Sequence, residues 1–172
     1  MKTDLWRSCA TMLAAVAVLF LLSGCAYRLG SALPPGIESV YVPTVVNNTE
    51  EPQIDTEVTR ALTREFQRDG TLRVADEASA DARLDVTLVR FKLEPLRYEQ
   101  DSNKTTREYR MYIDADITMF RAKEDTPMLT RHVQGEATFD FFGDMASSKA
   151  QALPECARDL SHDIVEALVE YW

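Results

Sequence analysis

Between Arg110 and Phe120 the chain alternates without a break: Met111, Ile113, Ala115, Ile117 and Met119 in one phase, Arg110, Tyr112, Asp114, Asp116, Thr118 and Phe120 in the other. Successive side chains of a strand point to opposite faces, so the segment predicts a strand with one apolar face and one mixed polar and aromatic face. Lys123 to Pro127 supplies a turn, and Met128 to Phe142 returns as an antiparallel partner in which Gly135 marks a bulge or a tight approach. Upstream, Leu84, Val86 and Leu88 alternate in one phase and Phe91 and Leu93 in the other. A one-residue slip turns every later side chain over, so a β-bulge near Val89 or Arg90 is expected to restore the inward face. Pro95 weakens the end of that strand, and Glu99 to Thr106 turns the chain.

Two segments carry the helical period instead. Ile54, Val58, Ala61, Leu62 and Phe66 recur at helical spacing, with Pro52 at the first helical position and Asp69-Gly70 as the stop. Leu153, Cys156, Ala157, Leu160, Ile164, Leu168 and Trp172 predict a second long amphipathic helix, with Pro154 in its first turn or kinking it. Ile37 to Val46 is β-branched and predicts a first strand in which Pro43 limits pairing, and Thr71 to Ala75 is a short extended segment. The expected fold is α/β (α+β), a two-layer sandwich: a four-stranded mixed sheet with two helices on one face, in the order β-α-β-β-β-α. The other sheet face, with Tyr112, Asp114, Asp116 and Phe120, is then a candidate interface.

The first residues change the picture. Lys2 and Arg7 flank a short basic start, and Cys9 to Leu22 is an apolar run shorter than the ~20 residues that span a bilayer. Residues 1–24 read as a signal peptide. Leu22-Ser23-Gly24-Cys25 resembles the lipobox of bacterial lipoproteins, which implies cleavage before Cys25, three acyl chains on that residue, and stable anchoring. Ala26 follows, where Asp marks retention in the inner membrane, so the implied address is the periplasmic face of the outer membrane. Residues 25–36, with Gly30, Pro34 and Pro35, read as a lipidated tether, and 37–172 as a single domain.

The mature chain holds 17 basic and 27 acidic residues, a net charge of -10, which disfavours nucleic acid and makes any anionic ligand depend on a local basic patch. With Cys9 removed and Cys25 acylated, Cys156 has no disulfide partner and reads as a small core residue. His132 and His162 lack neighbours at ligand spacing, so no metal site and no cofactor are expected. Ser161-His162-Asp163 is no triad, because adjacent helical residues point about 100° apart. Asp114 and Asp116 share a strand face at a spacing that could serve acid–base work, but a polar sheet face accounts for them, and no catalytic residue is assigned. Arg97, Lys104, Arg107 and Arg110, with Arg90 and Lys92 nearby, cluster around the turn between two long strands and are the candidate ligand-binding residues for phosphate or carboxylate. The bland account is a solvated hairpin end with Glu94, Glu99, Asp101 and Glu108 interleaved.

Several stretches together resemble the lipopolysaccharide-assembly lipoproteins of the LptE family in their divergent, non-enteric form. They are Cys25-Ala26-Tyr27-Arg28-Leu29, Leu33 to Pro43, Asn47-Asn48-Thr49-Glu50, Glu57 to Leu62, and Asp81-Ala82-Arg83-Leu84. The resemblance covers most of the mature chain and agrees with the order of elements, though no motif in it is a chemical signature. It implies a non-enzymatic protein anchored through Cys25, plugging the outer-membrane β-barrel LptD and assisting insertion of lipopolysaccharide. The polar lumen of such a barrel would suit the semipolar sheet face. The alternative is a lipid-anchored periplasmic adaptor or secretion-pore accessory, since a Val-Tyr-Val-Pro strand followed by Asn-Asn-Thr and a helix also looks like the start of TolB-like and curli-secretion lipoproteins.

Overall fold

The change of phase near Val89 is a bulge. In a computed structural model, which describes residues 34–98 and 106–169, the antiparallel register between the two longest strands runs Val86↔Ile117 and Leu88↔Ala115, then resumes one residue late at Arg90↔Asp114 and Phe91↔Ile113. Two residues of one strand oppose one of its neighbour there, and the apolar phase returns to the same face. The expected signal peptide, Cys25, most of the expected tether and Lys104 lie outside the described residues.

The elements are β1 (Ser39–Tyr41), β2 (Val46–Asn47), α1 (Ile54–Asp69), β3 (Arg73–Val74), β4 (Ala82–Tyr98), β5 (Thr106–Arg121), β6 (Pro127–Asp140) and α2 (Met145–Val169). The class is the mixed two-layer α/β fold expected, but the sheet has six strands rather than four. Pro43, with no N–H to donate, falls between β1 and β2, which pair in parallel with β4 at Val40↔Ala82 and Val46↔Thr87. The segment at 71–75 contributes β3, parallel to β1, so the order across the sheet is β3-β1-β4-β5-β6.

One face of this sheet and both helices form one core. Leu84, Val86 and Leu88 of β4, Met111 to Met119 of β5, and Leu129, Val133 and Ala137 of β6 meet Val58, Leu62 and Phe66 of α1 and Cys156, Leu160 and Ile164 of α2. Full burial of each large aliphatic side chain is worth about 1.5–3 kcal/mol, which is the main stabilisation of both layers. The helices differ from expectation at their starts. Pro52 is not the first helical residue: Gln53, at φ 67°, precedes the helix, which begins at Ile54 and ends on Gly70, whose N–H donates to the Phe66 carbonyl at 3.0 Å. Helix α2 begins at Met145, because the Asp144 carboxylate accepts from the Ser147 N–H at 2.8 Å as an N-cap. Pro154 therefore sits in the helix interior and not in the first turn, leaving the Ala150 carbonyl without its usual donor.

Candidate functional site: the helix-free face of the sheet

The even-numbered side chains of β5 and β6 and their neighbours on β4 point away from the helices, and on this face charges pair across strands. Its centre is Asp114, a carboxylate only 2 % exposed on a face that carries no helix among the described residues. The bulge at Val89 places Arg90 opposite it, and the β5–β6 register places Gln134 on its other side. The Arg90 guanidinium pairs with Oδ2, and the Gln134 amide donates to Oδ1 at 2.6 Å. Burial alone would raise the Asp114 carboxyl, but the Gln134 and Arg90 hydrogen bonds and the Arg90 charge hold it below the ordinary carboxylate value. Asp114 is thus an ionised carboxylate with both oxygens satisfied, a strut and not a general acid.

Adjacent rows continue the arrangement. Asp116 Oδ1 lies 2.8 Å from His132 Nδ1. Lys92 sits 5.9 Å from the centre of the Tyr112 ring and 3.5 Å from Glu94. Arg110 stands opposite Glu94 in the register and 3.6 Å from the Glu136 carboxylate. Its guanidinium is pushed above its ordinary value by hydrogen bonding with Tyr112 and by the Glu136 charge. At the end of the face nearest β1, the Arg83 guanidinium stacks over Phe120 at 4.6 Å. Opposite charges facing each other across strands contribute about 0.2–1 kcal/mol per pair, so the ladder orders the face more than it stabilises the fold.

Among the predicted site residues, Arg97 and Arg107 fall on the backbone of β4 and β5 near the hairpin end, Arg97 opposite Glu108, and their side chains, like all of Lys104 and Cys25, lie outside what is described. Arg110 belongs to the ladder. Asp114 and Asp116 share a face as expected, but each has its own cross-strand partner and they form no acid–base pair with each other. Ser161, His162 and Asp163 diverge: the Ser161 hydroxyl donates to the Ala157 carbonyl at 2.6 Å inside the core, His162 Nδ1 meets Glu65 at 3.1 Å, and Asp163 is raised by burial.

Sequence reasoning missed a latch at the start of the domain. Asp81 accepts from the backbone N–H groups of Glu38 and Ser39 and from the Ser39 hydroxyl at 2.6 Å, while Ser39 Oγ accepts from the Asp81 N–H at 3.1 Å. The Ser39 hydroxyl bond and the backbone donors hold the Asp81 carboxyl low. Both residues stood in the quoted stretches, 42 positions apart, with no local pattern to connect them. Gln134 was missed for a similar reason: it becomes a partner of Asp114 only through the register.

A cleft of about 240 Å³ opens where the helices stop short of the β4–β5 extension, lined by Ile54, Phe91, Met111 and Leu153 and bordered by an ion pair of Lys149 with Glu51 at 2.6 Å. Among the described residues there is no cluster of metal-ligating side chains, and no helix is long and apolar enough to cross a membrane.

The model of the family described as lipopolysaccharide-assembly, LptE, matches residues 37–168, the whole of this layered domain. The chain belongs to the LptE family. No curated protein matches it by sequence. Solved structures share the fold at low identity. A hypothetical protein of Chlamydia trachomatis matches with TM-score 0.55 at 11% identity, over 78% of this chain and 97% of that one. A Xanthomonas campestris protein matches with TM-score 0.55 at 12% identity, over 82% and 89%. A candidate lipoprotein of Caulobacter crescentus matches with TM-score 0.51 at 11% identity, over 74% and 89%. At such identities these neighbours speak for the architecture alone. LptE membership makes this a lipopolysaccharide-assembly lipoprotein, from a family of assembly proteins rather than enzymes.

Proposed function

We propose that residues 1–24 are removed, that Cys25 is acylated and holds the domain to the periplasmic face of the outer membrane, and that the helix-free sheet face seats in the lumen of the β-barrel LptD. There the domain plugs the barrel and assists its assembly as the device that inserts lipopolysaccharide into the outer leaflet. The observation that carries this reading is the Arg90–Asp114–Gln134 row and the charge ladder around it. A sheet face that no helix covers among the described residues, built of pre-paired polar groups, matches a polar barrel interior, whereas an apolar face would match another core or a bilayer. Arg97, Lys104, Arg107 and Arg110 are proposed to meet the anionic groups of lipopolysaccharide at the hairpin end.

Photo-reactive residues test the reading in the native membrane. Placed at Thr130 or Gln134 on the sheet face, they are expected to crosslink to a large outer-membrane barrel, and placed at the exposed Arg64 of α1 they are not. Crosslinks to the barrel from α1 alone would overturn the assignment of the face. Failure to recover any barrel after gentle detergent extraction would overturn the partnership.

A further inference from the structure

The chain enters the domain at the end of the sheet where β1 and β4 begin, and a hollow of about 180 Å³ opens at that same end. Its walls combine Tyr41 and Arg83, which are register partners on β1 and β4, with Arg121 and Lys123 from the β5–β6 turn. Lys123 adopts φ 67°, which shapes the turn that carries these two cations. Arg83 Nε is buried and makes no hydrogen bond; the Asp85 carboxylate 3.1 Å away is an ion-pair neighbour without hydrogen-bond geometry. Arg121 has an ion-pair neighbour in Glu124 at 4.0 Å, and among the described residues Glu77 is the acid lining the hollow. Three cationic residues thus line a space of phosphate size in a chain that is otherwise acidic, with the Arg83 guanidinium stacked over Phe120.

The covalent path says what lies near. Eight residues lie between Cys25 and Pro34, where the described domain begins, and the nine Cα-to-Cα steps span at most about 30 Å. If Cys25 carries the anchor, as proposed above, this end of the sheet lies within a tether's length of the headgroups of the leaflet that holds it. We propose that the Arg83–Arg121–Lys123 hollow is a subsite for the phosphate diester of an anionic phospholipid headgroup in the leaflet that holds the anchor. Arginine offers the fork geometry that phosphate oxygens need, and juxtamembrane cations act within a Debye length of an anionic surface.

The test uses the full chain purified from membranes in a nonionic detergent and titrated calorimetrically with water-soluble dihexanoyl-phosphatidylglycerol, inorganic phosphate and dihexanoylglycerol. Saturable binding of the phosphatidylglycerol is expected, about tenfold or more weaker in the double variant Arg121→Gln/Lys123→Gln and tighter in Glu77→Gln, with thermal midpoints unchanged because all three sites border an open turn or loop. Equal binding of inorganic phosphate would overturn the membrane assignment, and equal binding of dihexanoylglycerol the phosphate assignment. Binding that is absent, or unmoved by the double variant, would overturn the site. The anchor reading is tested apart from this by mass spectrometry of the protein purified from membranes: an N-terminus without acyl groups on Cys25 would remove the anchor and leave the titration result standing.

Discussion

Gly135 lies directly beneath Leu160: a Cβ built on Gly135 would come 2.4 Å from the Leu160 Cβ and 2.5 Å from the Leu160 backbone nitrogen. Helix α2 therefore crosses β6 in near-backbone contact, with Ile113 as the glycine's register partner on β5. The glycine is needed for space, since its backbone is an ordinary strand. Gly135→Ala is expected to push α2 off the sheet and destabilise the fold by about 2–4 kcal/mol, at or above the usual range for overpacking because the obstacle is helix backbone. Urea unfolding followed by circular dichroism reads it, and a loss below about 0.5 kcal/mol would show that the helix does not sit this close.

Asp114 owes its charge to Arg90 and Gln134. The double variant Arg90→Ala/Gln134→Ala is expected to strand a buried carboxylate, raise its pKa into or above the ordinary range and cost about 1–3 kcal/mol at neutral pH. The wild-type carboxyl is depressed in the folded state, so its contribution is present above the unfolded value near 4 and is lost as pH falls through the lower folded value. Stability of wild type and variant should converge in acid, and a constant gap down to pH 2 would refute the linkage.

The Ser39–Asp81 latch fastens β1 to the loop before β4. Asp81→Ala removes the acceptor of three hydrogen bonds and is expected to loosen β1, seen as faster amide exchange at Val40 and Tyr41 with β5 and β6 unaffected. The depressed carboxyl gives the same sign as before: the difference from wild type is full above about pH 4 and fades in acid. Exchange accelerated evenly across the sheet would mean that the latch is part of the global core instead.

The Cys156 thiol is fully buried, and burial and the nearby Asp159 charge push it up to about 12. At pH 8 its thiolate fraction is on the order of one in ten thousand. The mature folded protein should not react with a disulfide reagent on a scale of minutes, and should titrate one thiol after unfolding in urea. Two thiols after unfolding would mean that Cys25 carries no lipid on its sulfur.

What the sequence determined by itself is whatever depends on neighbours along the chain. The alternation from Met111 to Met119 fixes β5, the change of phase between Leu88 and Phe91 locates the bulge, Gly70 ends α1, and the helical period marks Cys156 and Leu160 as core. Tertiary structure decided what depends on residues far apart. The two-residue strands β2 and β3 are too short to carry a period and exist because β4 and β1 offer them parallel partners. Helix α2 begins at Met145 because of a cap, while its first turns bury only Ser148 and Ala152 and so show little amphipathic pattern. Asp114 reads as a surface acid, and its burial follows only once the bulge and the β6 register bring Arg90 and Gln134 over it. Ser39 finds Asp81 across 42 residues, and Arg83 comes to line one hollow with Arg121 and Lys123, through the pairing of β1, β4 and β5. Periodicity reports which face a side chain takes; partners and burial on that face are set by register, which only the folded chain defines.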